Sequence, residues 1–186
     1  PDAANPVVAS FVVVRAGIAW EGADESGASH FLEHLLFNGT SRRTQEQLYA
    51  ETDRLGIYNN ATTREDHTLY LMLGPRERLR EILDLQSDML LHSTLPAEKL
   101  EKERGIVIEE MRRDRSDPSA VASELFDACL YAGTAYARPV LGTIESISKI
   151  SRASVEAYYR ARYLPSRMTV VIRGDFDPAD AARLVE

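Results

Sequence analysis

Between Ala28 and Phe37 the chain reads ASHFLEHLLF, which sets two histidines and a glutamate among five large apolar side chains. On a helix, His30 and His34 fall one turn apart on one face with Glu33 beside them, because residues three and four apart are neighbours. Burying three ionisable groups against Phe31, Leu32, Leu35, Leu36 and Phe37 is costly unless something satisfies them, and a divalent cation does so. The spacing HxxEH is the reverse of the HExxH zinc-peptidase pattern, in which two imidazoles hold the ion and the carboxylate activates its water. A single histidine on an apolar face usually reads as a satisfied core residue. The trio reads differently: with four histidines in 186 residues, an accidental HxxEH has a chance on the order of 1%. His30 and His34 are therefore candidate metal ligands, and Glu33 a candidate base.

Composition narrows the partners. With 44% hydrophobic and 27% charged residues, the chain has the makeup of a soluble globular protein with a substantial core. A net charge of -7 argues against a nucleic-acid or anionic-membrane surface, which needs clustered Lys and Arg. No apolar run has the length of a membrane span, and the first ten residues lack the basic and apolar regions of a signal peptide. The expected partners are peptides, proteins or small molecules. Pro1 opens the chain without an initiator Met, and Glu186 closes it a few residues into a helix begun by Asp177 and Pro178. The expectation is thus one domain over residues 1–186, a truncated part of a longer two-domain chain. A removed signal peptide stays compatible with this, so the compartment is left open between bacterial cytoplasm and periplasm. Cys129 is the only cysteine, which rules out an internal disulfide, and ELFDACLYA reads as a buried helix face.

Along the chain, Val7 to Gly17 is β-branched and apolar and reads as a buried strand. Thr44 and Gln47 form a capping box for a helix that Gly56 stops. Ile57 to Thr63 and His67 to Leu73 then read as a hairpin. Pro75 starts a helix with the stripe Leu79, Ile82, Leu83, Gln86, Met89 and Leu90, and Pro96 opens a longer one to about Asp114. Further helices follow from Pro118 to Tyr131 and from Ser151 to Arg162, and Arg167 to Gly174 reads as a second buried strand. Strands and helices cluster instead of alternating, so the fold class is α+β, a mixed and largely antiparallel sheet with helices packed on one face.

Catalytic zinc takes three protein ligands and leaves a fourth position open, so two histidines are not enough. In EKERGIVIEEMRRD, Glu103, Ile106, Val107 and Glu110 share one helical stripe, whereas Glu109 turns toward Arg112 and Arg113. Glu110 is the better candidate ligand, and Glu103, two turns earlier, can orient an imidazole N–H. On these residues alone, a helix with many surface charges explains the carboxylates equally well.

Five segments in order, GASHFLEHLLFNGT, NNATTREDHTLY, EKERGIVIEEMRRDRSDP, YARPVLGTIESI and VVIRGDFDP, resemble the N-terminal catalytic domain of the inverzincin metallopeptidases. That family includes pitrilysin, insulin-degrading enzyme and the β subunit of the mitochondrial processing peptidase. The resemblance implies a pitrilysin-like fold, with His30, His34 and Glu110 as zinc ligands, Glu33 as general base and Glu103 behind a ligand. It also implies that Asn60 and Ala61 receive the substrate, and that a second homologous domain or partner subunit closes over this one. Leu35 stands where Met is frequent and TAYARPVLG where a His-Pro-Tyr-Gly stretch is frequent, but neither touches a ligand position. His67 and His92 receive no site role.

The function expected is a zinc-dependent endopeptidase acting on peptides or unfolded proteins, poorly active as an isolated domain. Asn59, Asn60 and Ala61 are expected to form an edge strand onto which the substrate adds through main-chain hydrogen bonds. The alternative is a non-catalytic peptidase-like subunit acting in assembly or peptide binding, for which an intact trio and Glu110 have no physical need. A structural zinc protein would want four closed ligands, and a single cysteine supplies too few thiolates.

Overall fold

The alternation Val-Val-Ala-Ser-Phe-Val-Val-Val suits a strand with one covered face, and in the computed structural model Val7–Val14 forms β1 with Val8, Ser10, Val12 and Val14 buried. The structure describes residues 1–186 apart from the side chain of Ala23. β1 lies inside an antiparallel sheet with β2 (Tyr58–Thr63), β3 (Thr68–Pro75) and β4 (Met168–Gly174), in the order β2-β3-β1-β4. Register is set by pairs such as Val12 with Tyr70 and Val170, and Ala61 with Tyr70. β2 and β4 are therefore the edges. The α+β class with helices on one sheet face holds, and the sheet is antiparallel throughout the described residues.

Two helices lie against the buried face. α1 (Ala28–Leu36) packs Phe31, Leu32, Leu35 and Leu36 over Val12, Val14 and Tyr70. After α2 (Gln45–Leu55), which has the expected Thr44–Gln47 capping box, α3 (Leu79–Leu91) packs Ile82, Leu85 and Met89 beside Val8 and Met72. Ser10, the one polar side chain on the covered face of β1, donates to Gln86 Oε1 at 2.6 Å, and Gln86 Nε2 donates to the Tyr70 carbonyl, so no polar group there is left bare. α4 (Ala97–Arg115) runs alongside α1, burying Leu100, Val107 and Met111. Its Arg104 lies over the Phe31 ring at 5.3 Å and donates to the Ile150 carbonyl. The rest comprises α5 (Pro118–Leu130), α6 (Ile144–Lys149), α7 (Arg152–Arg162) and α8 (Pro178–Val185). Among the described residues no helix is long and apolar enough to cross a membrane.

Several expectations need correction. β4 is not a buried strand: it is an edge paired only with β1, and Val170 and Val171 are exposed, while Met168 and Ile172 are only partly buried against the core. Cys129 is exposed and not in the core, since α5 packs mainly along α4 and the 3-10 turn at Ala135–Ala137 and keeps Leu125, Phe126 and Leu130 in solvent. Pro75 ends β3 instead of starting a helix, and a short 3-10 turn at Arg76–Arg78 precedes α3. The short α6 carries no long apolar period and was not expected.

α1 starts under tight constraints. Gly27 has a φ of 87°, in the left-handed region, and a Cβ there would lie 2.5 Å from the Leu141 carbonyl oxygen and 3.0 Å from Gly142 Cα. The loop before α6 thus presses backbone to backbone on the start of α1. Glu21, from outside the helix, accepts from the Gly27 N–H at 3.0 Å and the Ser29 N–H at 2.8 Å, which satisfies donors that a helix start leaves unpaired. Gly27→Ala is expected to destabilise the fold by about 1–3 kcal/mol through backbone strain alone, with the clash adding to it. A lowered denaturant midpoint checks this; an unchanged midpoint would show that the loop at Gly142 yields freely.

Candidate metal centre

α1 and α4 meet so that one donor atom each from His30, His34 and Glu110 lies within 4.8 Å of the others. His34 Nε2 is 3.4 Å and His30 Nε2 3.7 Å from Glu110 Oε2. Donors bonded to zinc at about 2.0–2.1 Å in a tetrahedron stand about 3.4 Å apart, so these spacings suit a shared ion. The imidazoles meet edge to face, with centroids 4.8 Å apart. On the far side of the His34 ring, Glu103 Oε2 lies 3.4 Å from Nδ1, and Glu103 is only 6% exposed. The stripe on α4 therefore turns Glu103 and Glu110 to the same imidazole, while Glu109 pairs with Arg112 at the surface. Ile106, placed on that stripe from sequence, is exposed and takes no part.

The electrostatics suit a cation. Burial, helped by the adjacent His34, pulls the His30 pKa down to about 4. Burial also disfavours a charged His34, but the Glu103 and Glu110 carboxylates on either side outweigh it and raise its pKa to about 9. Glu110 is held below the usual carboxylate range by His34. Glu103 is also lowered, because His34 and Asn38 outweigh its burial. In this state a protonated His34 turns one N–H to each carboxylate, Nδ1 to Glu103 and Nε2 to Glu110, and a divalent ion between Nε2 and Glu110 would take the place of the second of these protons. His30 Nδ1 is buried with no hydrogen-bond partner among the described residues, so no hydrogen bond accounts for the position of that ring. Two imidazoles and a carboxylate form a donor set that fits zinc.

Glu33 projects from the same face of α1 and stands outside the group of three converging donors. Burial raises its pKa, and the Thr63 hydroxyl, donating to Oε2 at 2.5 Å, opposes that rise. Glu33, the three donor residues, Glu103, Asn60 and Ala61 line one open cleft together with Phe37 and Tyr49. His67 pairs with Asp66, and His92 lies 3.6 Å from Asp88; neither lines the cleft. Sequence reasoning missed Thr63 and Glu21. A period-two reading of β2 could have found Thr63, since Asn59, Ala61 and Thr63 share the inward face, whereas nothing local marks Glu21 as the residue that caps α1.

The chain matches the family described as Insulinase (Peptidase family M16) over residues 2–144, and residues 149–186 match the Peptidase M16 inactive domain. Among curated relatives, a Mycobacterium leprae protein named an uncharacterized zinc protease is 36% identical over 174 residues, which is 94% of this chain and 39% of that protein. The mitochondrial-processing peptidase subunit beta of Caenorhabditis elegans is 31% identical over 94% of this chain and 38% of its own length. The chain thus spans about two fifths of the length of these relatives. A periplasmic protease from Escherichia coli superposes with a TM-score of 0.92 at 26% identity, over all of this chain and 21% of that one. The cleft between α1 and α4 therefore sits in a recognised peptidase scaffold, and this chain belongs to the insulinase family of peptidases, M16.

Proposed function

We propose that this chain carries the catalytic half of a zinc-dependent endopeptidase, with His30, His34 and Glu110 holding the ion. The observation that carries the reading is the convergence of these three donors beside a separate, buried carboxylate, Glu33. Zinc, when bound there, supplies Lewis acidity that polarises a scissile carbonyl and makes water acidic enough to attack near neutral pH. Glu33 takes the proton of the attacking water and returns it to the leaving amine, a task suited to a carboxylate whose basicity burial has raised. Glu103 fixes the tautomer and orientation of His34 through Nδ1.

β2 supplies the substrate platform. It pairs only with β3, and the Arg64 N–H donates to the His67 carbonyl, which makes those two residues a hydrogen-bonded pair at the end of the hairpin. Alternation along an antiparallel ladder then makes Ala61–Tyr70 a non-hydrogen-bonded pair, so the N–H and C=O of Ala61 face the free edge. An extended peptide adding to that edge lies along the cleft with its backbone recognised and its side chains little constrained. A second domain or partner subunit closing over the cleft would exclude water and add donors for the developing oxyanion.

Three outcomes test this reading. Glu33→Gln is expected to keep zinc and lose about 10²- to 10⁴-fold in kcat, whereas His34→Ala loses the metal; metal analysis beside turnover separates the two, and equal zinc in parent and His34→Ala would end the proposal. Ala61→Pro removes the outward N–H without breaking the β2–β3 ladder, so KM rises sharply with zinc retained, and unchanged steady-state kinetics would place the substrate elsewhere. The chain alone is expected to bind zinc yet cleave peptides poorly until the remainder of the protease or a partner subunit is added. Full, chelator-sensitive cleavage by residues 1–186 alone would show that this half suffices.

A further inference from the structure

Thr63 ends β2 with its side chain turned into the protein, 7% exposed. Its hydroxyl has one proton to give and two oxygens near it. Thr68 Oγ1, opposite in the ladder, lies 3.3 Å away but commits its own proton to the Ala16 carbonyl at 3.0 Å. The Thr63 proton therefore goes to Glu33 Oε2, at 2.5 Å, within the short range of hydrogen bonds to an ionised acceptor. Among the described residues this is the one side-chain hydrogen bond to Glu33, and the Thr63 N–H also stands close enough to favour its carboxylate, while Glu33 lines the cleft.

A glutamate has three rotatable bonds, and one donor on Oε2 removes most of the freedom of its carboxylate. The donor itself is stiff: Thr63 is β-branched, pinned by the hairpin closing at Arg64 and His67, and covered by the core. It also sits two residues from Ala61 on the same strand, with its own N–H and C=O facing the same free edge. One rigid strand thus carries both the main-chain groups proposed to pair with substrate and the hydroxyl that aims the base.

We propose that Thr63 is the positioning residue for Glu33, holding Oε2 so that Oε1 points at the attacking water in a fixed relation to a peptide paired along β2. The inference rests on the reading of Glu33 as the base. It predicts a loss in the chemical step alone, because Thr63 touches neither the ion nor the substrate side chains.

The test uses the complete, zinc-loaded peptidase with Thr63→Val, which keeps the shape and deletes the hydroxyl, beside Thr63→Ser, Thr63→Ala and Glu33→Gln. The expected result for Thr63→Val is a fall in kcat of about 10- to 100-fold, with KM within about twofold and zinc content that of the parent. Thr63→Ser recovers most of the rate, since the hydroxyl alone is needed. If Thr63→Val does not fold, Thr63→Ala must show the same fall in kcat with zinc retained. A parental kcat in Thr63→Val beside an inactive Glu33→Gln overturns the inference and leaves the base standing. A rise in KM at constant kcat, a loss of zinc, or a failure of Thr63→Ser to recover the rate also overturns it. A parental rate in zinc-loaded Glu33→Gln removes the base itself.

Discussion

Two imidazoles and three carboxylates are held at the seam between α1 and α4, on helix faces that also carry the core, and the rest of the molecule is arranged around that charge. Phe31, Leu32, Leu35 and Leu36 are buried outright, so α1 cannot rotate to let His30, Glu33 and His34 into water without exposing them. The charges must then be compensated in place. Without an ion, the carboxylates of Glu103 and Glu110 raise His34 toward its charged form, while His30 is driven neutral. The proposed zinc resolves both conditions at once, which is why the donor set reads as a metal site rather than as an ion-pair network.

Holding α1 in register with α4 falls to groups outside the cleft. Glu21 caps the start of α1, Gly27 and Gly142 bring two backbones into contact, and Arg104 ties α4 to the Phe31 ring and to the end of α6. Arg138 adds hydrogen bonds to the carbonyls of Ile18, Glu21 and Gly22, fixing the loop that carries the cap. These contacts hold α1 against α4 and so bear on the spacing of His30 and His34 from Glu110 without touching those three residues. On the other flank, the β2–β3 hairpin brings Thr63 under Glu33 and leaves the outer edge of β2 free beside the cleft.

The apolar surface is distributed unevenly. The helical side of the sheet is covered over β1 and β3 but partly open at Val170 on β4, and Val171 on the outer face of β4 and Leu125, Phe126 and Leu130 on α5 stay in solvent. These residues misled the reading of the sequence, because β-branched or helical apolar patterning reports an element and its apolar face, not whether a neighbour covers that face. Cys129 failed for the same reason.

What the sequence by itself determined is local in origin. The 3.6-residue period placed His30, Glu33 and His34 on one face and set Glu103 and Glu110 apart from Glu109. The Thr44–Gln47 box marked a helix start, and the spacing of polar and apolar runs marked the hairpin. Period alone left Glu110 no stronger than a surface charge, and only the five ordered segments of the family resemblance favoured it. The tertiary structure decided what depends on distant partners: that Glu21 caps α1, that Thr63 reaches Glu33 across 30 residues, that the imidazole in front of Glu103 is His34, and that β4 is an edge. A carboxylate's partner or a strand's free side follows from where the chain returns in space, and no short-range pattern of residues encodes that return.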